Sequence, residues 1–379
     1  MLPLVNHPRH YGAIRLKLDF ARTMEMGRNS LDVTLVMIAK NEERCIQRAL
    51  ISARPFVNRM IVVDTGSSDA TVEIARSCGA EVHFYEWSGD FSAARNCALD
   101  IANADWNLFL DADEWIEEGG AKLQRLDIKS PFVGLVDVSS ECDIDKYTSR
   151  SHSRIPRLLP RGVRYVGRVH EQPVSMFRKI PFPLVLGHDG YTRLHAERKK
   201  GRNRELLLRQ LESTPGDPYL LYQLGKDFEV YGEYADAAKY YSHASELVSL
   251  DDPYRQGTYL GLIRCLGESG QLERALLISA EVMNDFMQSA QYFFDMGNLF
   301  LNMGGAHPEE AMSKWLPMAE SAWMKCLEIG ECPSSDSYSI GFGSFLAAKN
   351  IAVIYGVLGN TNQENKYLQL AEKLKSKHL

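Results

Sequence analysis

Residues 106–114 read Trp106-Asn-Leu-Phe-Leu-Asp111-Ala-Asp113-Glu114, an apolar strand that ends on two carboxylates two residues apart. Side chains at i and i+2 of a strand leave on the same side, so Asp111 and Asp113 form a paired acidic edge. Hard divalent cations such as Mg²⁺ and Mn²⁺ take oxygen ligands, commonly one or two carboxylates completed by substrate phosphates. A D-x-D at a strand end therefore suits a metal that holds a diphosphate. The bland alternative is a strand-end aspartate that caps the next helix.

Working outward, the upstream chain alternates short apolar runs with amphipathic stretches. Residues 31–39 (LDVTLVMIA) read as a β-branched strand, 42–53 as an amphipathic helix, and 59–63 (RMIVV) as a second strand ending at Asp64, which is a βαβ unit. A helix over 70–78, a strand over 81–85 and a helix over 92–102 then lead into the strand at 106–110. The pattern predicts an α/β fold with a parallel sheet whose ligands sit at the strand C-termini.

The residues found there are informative. Ala39-Lys-Asn41-Glu-Glu43 follows the first strand, and Asp64-Thr-Gly-Ser-Ser-Asp69-Ala-Thr71 follows the second. Carboxylates in such turns either accept from ribose hydroxyls and base N–H groups or cap the helix that follows, Asp69 being the plainest cap candidate. Asp90-Phe-Ser-Ala-Ala-Arg95-Asn96 puts an arginine one turn into a helix, where it can reach phosphate, pair with the acidic strand end, or form an ordinary surface salt bridge.

From the seam near residues 193–209 onward nearly everything reads with helical period. Gly232-Glu-Tyr-Ala-Asp-Ala237 and Gly270-Gln-Leu-Glu-Arg-Ala275 share G-x-[YL]-x-x-A. With Leu221, Leu224, Gly225 and Phe228 before the first glycine and Tyr241 and Ala244 after it, this is the order of large and small residues in a tetratricopeptide helix pair. Gly304 and Gly359 head weaker copies, giving about four repeats that either buttress the rest or offer a concave surface to an acceptor.

Composition bounds the class. The 379 residues are 45% hydrophobic and 24% charged, enough for two or three domains at about 100–200 residues each. A net charge of −6 and a pI near 6.0 argue against nucleic-acid binding. No run of about 18 apolar residues suggests a transmembrane segment. The first thirty residues interleave charges and do not resemble a secretion signal. Seven scattered cysteines without a C-x-x-C pair disfavour a disulfide framework, so a cytoplasmic protein is expected. The basic runs Arg150, Arg154, Arg157, Arg161, Arg164, Arg168 and Arg198, Lys199, Lys200, Arg202, Arg204 read first as solvated faces, with a diphosphate clamp or weak attraction to an anionic membrane as alternatives.

Three later stretches complete the pattern: Arg154-Ile-Pro-Arg157-Leu-Leu, Tyr165-Val-Gly167-Arg-Val-His170-Glu171 and Gly187-His188-Asp-Gly190-Tyr191. Together with the motifs above, over roughly 31–192, they resemble family-2 glycosyltransferases of the GT-A fold. The whole layout is similar to bacterial peptide S-glycosyltransferases of the sublancin type. The resemblance implies a 1–30 helical extension, a Rossmann-like GT-A nucleotide-sugar domain over 31–195 and an all-α tetratricopeptide-like domain over 196–379. It implies an inverting enzyme that uses Mn²⁺ or Mg²⁺ and a nucleotide sugar, UDP-hexose foremost, and that acts on a peptide or protein hydroxyl or thiol, such as a bacteriocin precursor. A homodimer stays open.

By the same resemblance Asp64 meets the base, Asp111 the ribose and metal, Asp113 and His188 the metal, and Arg95 the diphosphate, with Ala39, Asn41, Glu43 and Asp69 lining the nucleotide. An inverting transfer also needs a group that takes the acceptor proton, a role for which Glu171 fits better than His170. Glu171 otherwise reads as a helix-start carboxylate. The prolines of Arg154-Ile-Pro-Arg-Leu-Leu-Pro160 depart from the pattern in what reads as an acceptor-side loop. The rival readings are a cell-envelope polysaccharide or lipid-linked glycan transferase, and a protein-binding scaffold with a vestigial nucleotide fold.

Overall fold

The structure, a computed structural model, describes residues 31–144, 147–189, 201–331 and 337–378. The expected 1–30 extension, the 195/196 boundary, Gly190 with Tyr191, and 198–200 of the second basic run lie outside the described residues.

Strands β1 (Val33–Ala39), β2 (Arg59–Asp64), β3 (Glu81–Phe84) and β4 (Trp106–Phe109) alternate with helices α1 (Ile46–Ala53), α2 (Thr71–Ser77) and α3 (Phe91–Ala102). The four strands run parallel in the order β3-β2-β1-β4, with Ala39 level with Asp64. β1 is apolar apart from Thr34 because both faces are covered. Leu35 and Met37 pack with α1 residues such as Ile46 and Leu50, while Val36 joins Ile61, Val63 and Phe109 on the other face. Asp90 caps α3 by accepting the Ala93 N–H at 3.0 Å. α1 begins at Ile46, later than the periodicity suggests, because Glu42 and Glu43 are engaged in the loop before it.

The sheet is mixed, which corrects the all-parallel expectation. After β4 come β5 (Glu114–Glu118), β6 (Val133–Ile144), β7 (Tyr147–Pro160), β8 (Arg164–Val166), β9 (Gln172–Val174) and β10 (Lys179–His188). The order continues β4-β7-β6-β10-β5, with β4–β7, β7–β6 and β10–β5 antiparallel and β6–β10 parallel. The close link between β6 and β7 leaves no length for a helical crossover, so the pair forms a hairpin. The Arg-Ile-Pro-Arg-Leu-Leu-Pro160 stretch is strand β7 and not a loop. Its Pro156 faces Leu135 where the register shifts, a bulge that absorbs the missing N–H donor.

Beyond α4 (Arg202–Ser213) the tail stacks four helical pairs: α5 (Pro218–Val230) with α6 (Tyr234–Leu247), α7 (Arg255–Glu268) with α8 (Leu272–Val282), α9 (Ala290–Ala306) with α10 (Leu316–Ile329), and α11 (Phe345–Val357) with α12 (Thr361–His378). Asp217 caps α5 ahead of Pro218, the position where a missing N–H costs nothing. Gly232, Gly270 and Gly359 turn the chain between partner helices at φ of +73°, +78° and +68°. Gly304 does not head such a turn. It is buried inside α9, and an inserted segment with a π-helical turn at Ala311–Trp315 separates α9 from α10. Gly225 and Gly261 are small because the Tyr241 ring fills the space between them: a Cβ at either would come within 2.7 Å or 2.5 Å of it.

The tail is packed onto the α/β part. Leu206 and Leu207 of α4 and Leu220 and Leu224 of α5 bury Val169. A short strand, β11 (Ser337–Ser339), pairs antiparallel with Ser151–Ser153 of β7.

Candidate active site

The C-terminal ends of β1 and β2 lie level, and the loops that leave them are stapled together. Asn41 donates its N–H to Ser67 Oγ at 2.9 Å, and its Oδ1 accepts the Ser68 N–H at 2.8 Å. Glu43 N–H reaches Asp69 Oδ2 at 3.2 Å, and Glu43 Oε2 accepts the Ala70 N–H at 3.0 Å. The Ala39 carbonyl accepts the Thr65 N–H at 2.9 Å. Some desolvation works against the Asp69 charge, yet hydrogen bonds from Thr71 and Glu43 hold its carboxyl below the usual range. Ala39, Asn41, Glu43 and Asp69 thus take part in the hydrogen bonds that join the loop after β1 to the loop after β2. Asp64 differs. Its Oδ2 accepts the N–H groups of Gly66 and Ser67, both at 3.0 Å, while its buried Oδ1 has no partner.

β4 leads to Asp111, whose side chain is 35% exposed and pairs with two buried arginines. Arg95 of α3 donates Nη2 to Asp111 Oδ1 at 2.9 Å and Nε to Glu171. Arg157 of β7 donates Nη2 to Asp111 Oδ2 and to Glu114 Oε1, each at 2.5 Å. Desolvation works to raise the Asp111 pKa, but the two guanidinium groups, Arg157 first, hold its carboxyl far below the ordinary range. For Glu114 burial prevails, and its pKa is raised despite Arg157. Arg95 also stands 5.3 Å from the Phe109 ring and 5.4 Å from the Tyr165 ring. Arg95 Nη1, Arg157 Nε and Tyr165 Oη are buried without hydrogen-bond partners.

Removing Arg157 would leave the buried Glu114 without its cation and the half-buried Asp111 with Arg95 alone. Breaking a buried ion pair from one side costs about 3–5 kcal/mol. Arg157→Ala should therefore lower the urea unfolding midpoint strongly with an unchanged m-value. A wild-type midpoint would show that Arg157 carries no such load.

Asp113 points elsewhere. His188, at the end of β10, is level with Glu114 of β5 on one side and Ser140 of β6 on the other. Its Nε2 lies 3.5 Å from Asp113 Oδ2, and its Nδ1 lies 3.0 Å from Ser140 Oγ. Burial disfavours the imidazolium, but the facing Asp113 carboxylate outweighs it and raises the His188 pKa. Asp189, next in the chain, is held by Arg44 at 3.2 Å and Arg48 at 2.5 Å, which ties the end of β10 to α1. A carboxylate and an imidazole facing each other form a donor pair suited to Mn²⁺ or Mg²⁺, with the remaining positions open to phosphate and water. Among the described residues no group of three or more His, Cys, Asp or Glu side chains is arranged to hold a metal. Asp111 is drawn away from this pair toward the arginines.

Glu171 sits where a small β8–β9 ribbon meets α3. Tyr165, in the middle of β8, has both backbone groups bonded to the Asn96 side chain, N–H to Oδ1 and carbonyl to Nδ2, each at 2.9 Å. The α3 amide thus replaces a neighbouring strand. His170 adopts a left-handed φ of +50°, and burial together with Lys226 pushes its pKa down to about 4. Glu114, Ser140 and Asn96 had no assigned role in the sequence reading, and Arg157, read there within a basic run as part of a solvated face, is instead buried and paired with Asp111 and Glu114. Arg157 and Glu114 stood inside recognised motifs, but Ser140 has no sequence signal, because only the β6–β10 register places it against His188.

Residues 34–181 match the family model Glycosyl transferase family 2. The SPbeta prophage-derived glycosyltransferase SunS of Bacillus subtilis (strain 168) is 29% identical over 220 residues, which cover 55% of this chain and 52% of SunS. A TPR repeat-containing protein of Synechococcus elongatus is 33% identical over 216 residues, 53% of each chain. The chain therefore spans about half the length of the curated relatives it matches. The crystal structure of MamA aligns over 49% of this chain and 96% of its own, at 18% identity and a TM-score of 0.36.

Proposed function

We propose that this chain, in which residues 34–181 are a family-2 glycosyltransferase domain, works as an inverting, metal-dependent enzyme. It would transfer a hexose from a nucleotide sugar, UDP-hexose foremost, to a thiol or hydroxyl of a peptide or protein. The observation that carries the reading is the Asp113–His188 pair at the strand ends, together with the Asp111–Arg95–Glu171 chain of ion pairs.

In this reading the unpartnered Asp64 Oδ1 accepts an N–H of the base, and Asp111, fixed by Arg95 and Arg157, faces the ribose. Asp113 and His188 would hold Mn²⁺ or Mg²⁺, which when bound neutralises charge gathering on the departing diphosphate. Arg95 adds positive charge on the same side. The acceptor oxygen or sulfur forms its bond to C1 as the C1–diphosphate oxygen bond breaks on the opposite face, and its proton passes to Glu171. Arg95 holds Glu171 Oε1, so Oε2 is the oxygen that takes the proton. The helical tail, packed against the loop of Glu171, is the surface proposed for the acceptor.

The test is mass spectrometry of the protein incubated with Mn²⁺, a panel of UDP- and GDP-hexoses and the peptides encoded beside its gene. A peptide that gains one hexose from a UDP donor supports the reading. Transfer to a lipid-linked or polysaccharide acceptor, with none to peptide, would move it to envelope glycan synthesis.

A further inference from the structure

The loop that bears Glu171 is not shaped by the large sheet. β8 and β9 form a separate two-stranded ribbon, and between them Gly167 and His170 both lie in the left-handed region, at φ of +95° and +50°. A histidine there is uncommon and persists when its surroundings impose it. From the α/β side, Phe91 donates its N–H to the Arg168 carbonyl at 2.8 Å, and Arg95 holds Glu171. From the tail, Gln210 of α4 accepts the Arg168 N–H at 2.9 Å. Tyr219 of α5 accepts from Gln172 Nε2 at 2.9 Å, and its hydroxyl stands 3.5 Å from the His170 carbonyl. Val169 is buried among Leu206, Leu207, Leu220 and Leu224 of the same two helices. Both neighbours of Glu171 are therefore tethered to the tail through one phenolic oxygen.

We propose that Gln210 and Tyr219 are positioning residues for Glu171. The first two tail helices set where its carboxylate stands, which makes the tail part of the reaction centre as well as a surface for the acceptor. This rests on the reading of Glu171 as proton acceptor.

The experiment measures UDP release from UDP-glucose with Mn²⁺ and water as acceptor, alongside UDP affinity by calorimetry, for Gln210→Ala, Tyr219→Phe, their combination and Glu171→Gln. Because a misplacement of about 1 Å can cost about 100-fold, each single change should lower kcat about 10-fold and the pair about 100-fold, with donor KM and UDP affinity within about twofold. Gln210→Glu, which keeps an oxygen for the Arg168 N–H, should restore most of the rate. Tyr219→Phe removes a single oxygen and leaves the packing of α5 in place, so it reads positioning and not folding. Wild-type kcat in Gln210→Ala and Tyr219→Phe, with Glu171→Gln inactive, would overturn the proposal alone. Wild-type kcat in Glu171→Gln would overturn the reading of Glu171, and the proposal with it.

Discussion

Asp113→Ala is expected to lower both hexose transfer and donor hydrolysis by about 10³-fold or more. A metal-binding carboxylate contributes several kcal/mol of charge stabilisation as the diphosphate departs, and each 1.36 kcal/mol is about tenfold in rate. Asp113 is only 8% exposed and faces His188, so its removal also leaves the imidazole without the carboxylate that faces its Nε2. Asp113→Asn keeps the shape and separates loss of ligation from loss of packing; it should be as slow as the alanine variant while unfolding near the wild-type midpoint. EDTA should bring the wild type down to the same floor and leave both variants unaffected. Turnover of Asp113→Asn at the wild-type rate in chelator would remove Asp113 from any metal role.

Glu171→Gln should lose about 10²- to 10⁴-fold in turnover on a hydroxyl acceptor, the usual contribution of a placed general base, while donor binding is kept. On a thiol the loss should be smaller, because a cysteine already carries a few per cent thiolate near neutral pH. The variant also leaves Arg95 with Asp111 as its remaining anionic partner, so the unfolding midpoint is measured beside the rate. Undiminished turnover on a hydroxyl acceptor would pass the proton to His170. Burial and Lys226 push the pKa of that imidazole down to about 4, which makes it a weaker base than an ordinary histidine.

The parts of the fold that local sequence determines were legible from it. β1 and β2 are β-branched runs buried on both faces, and the residues at their ends, Asp64 above all, could be named before any contact was known. The repeat glycines at 232, 270 and 359 declare their turns, because a positive φ is what a glycine there supplies. Gly304 misled for the same reason: a small residue also serves where a helix is crowded, as Gly304 is by Trp315 and Ala311. The site was legible only up to the point where antiparallel register takes over. Arg157 meets Asp111 from 46 positions away through the β4–β7 pairing, and Ser140 meets His188 from 48 through the β6–β10 pairing, whose register shifts between Pro181 and Val185. Asn41, Glu43 and Asp69 read as candidate ligand contacts because ligands gather at the ends of parallel strands; the hydrogen bonds they make between the two loops were not legible, since only the level ends of β1 and β2 bring those loops together.

Calorimetric titration of UDP into the intact protein, with Mn²⁺ and again in EDTA, tests most directly whether Asp113 and His188 form a metal site that is completed by a diphosphate. Two protein donors alone should bind Mn²⁺ weakly, and UDP should bind tightly only when the metal is present. The expected result is therefore a strong Mn²⁺-dependent heat of UDP binding that His188→Ala abolishes. Equal UDP affinity in Mn²⁺ and in EDTA, unchanged in His188→Ala, would contradict it.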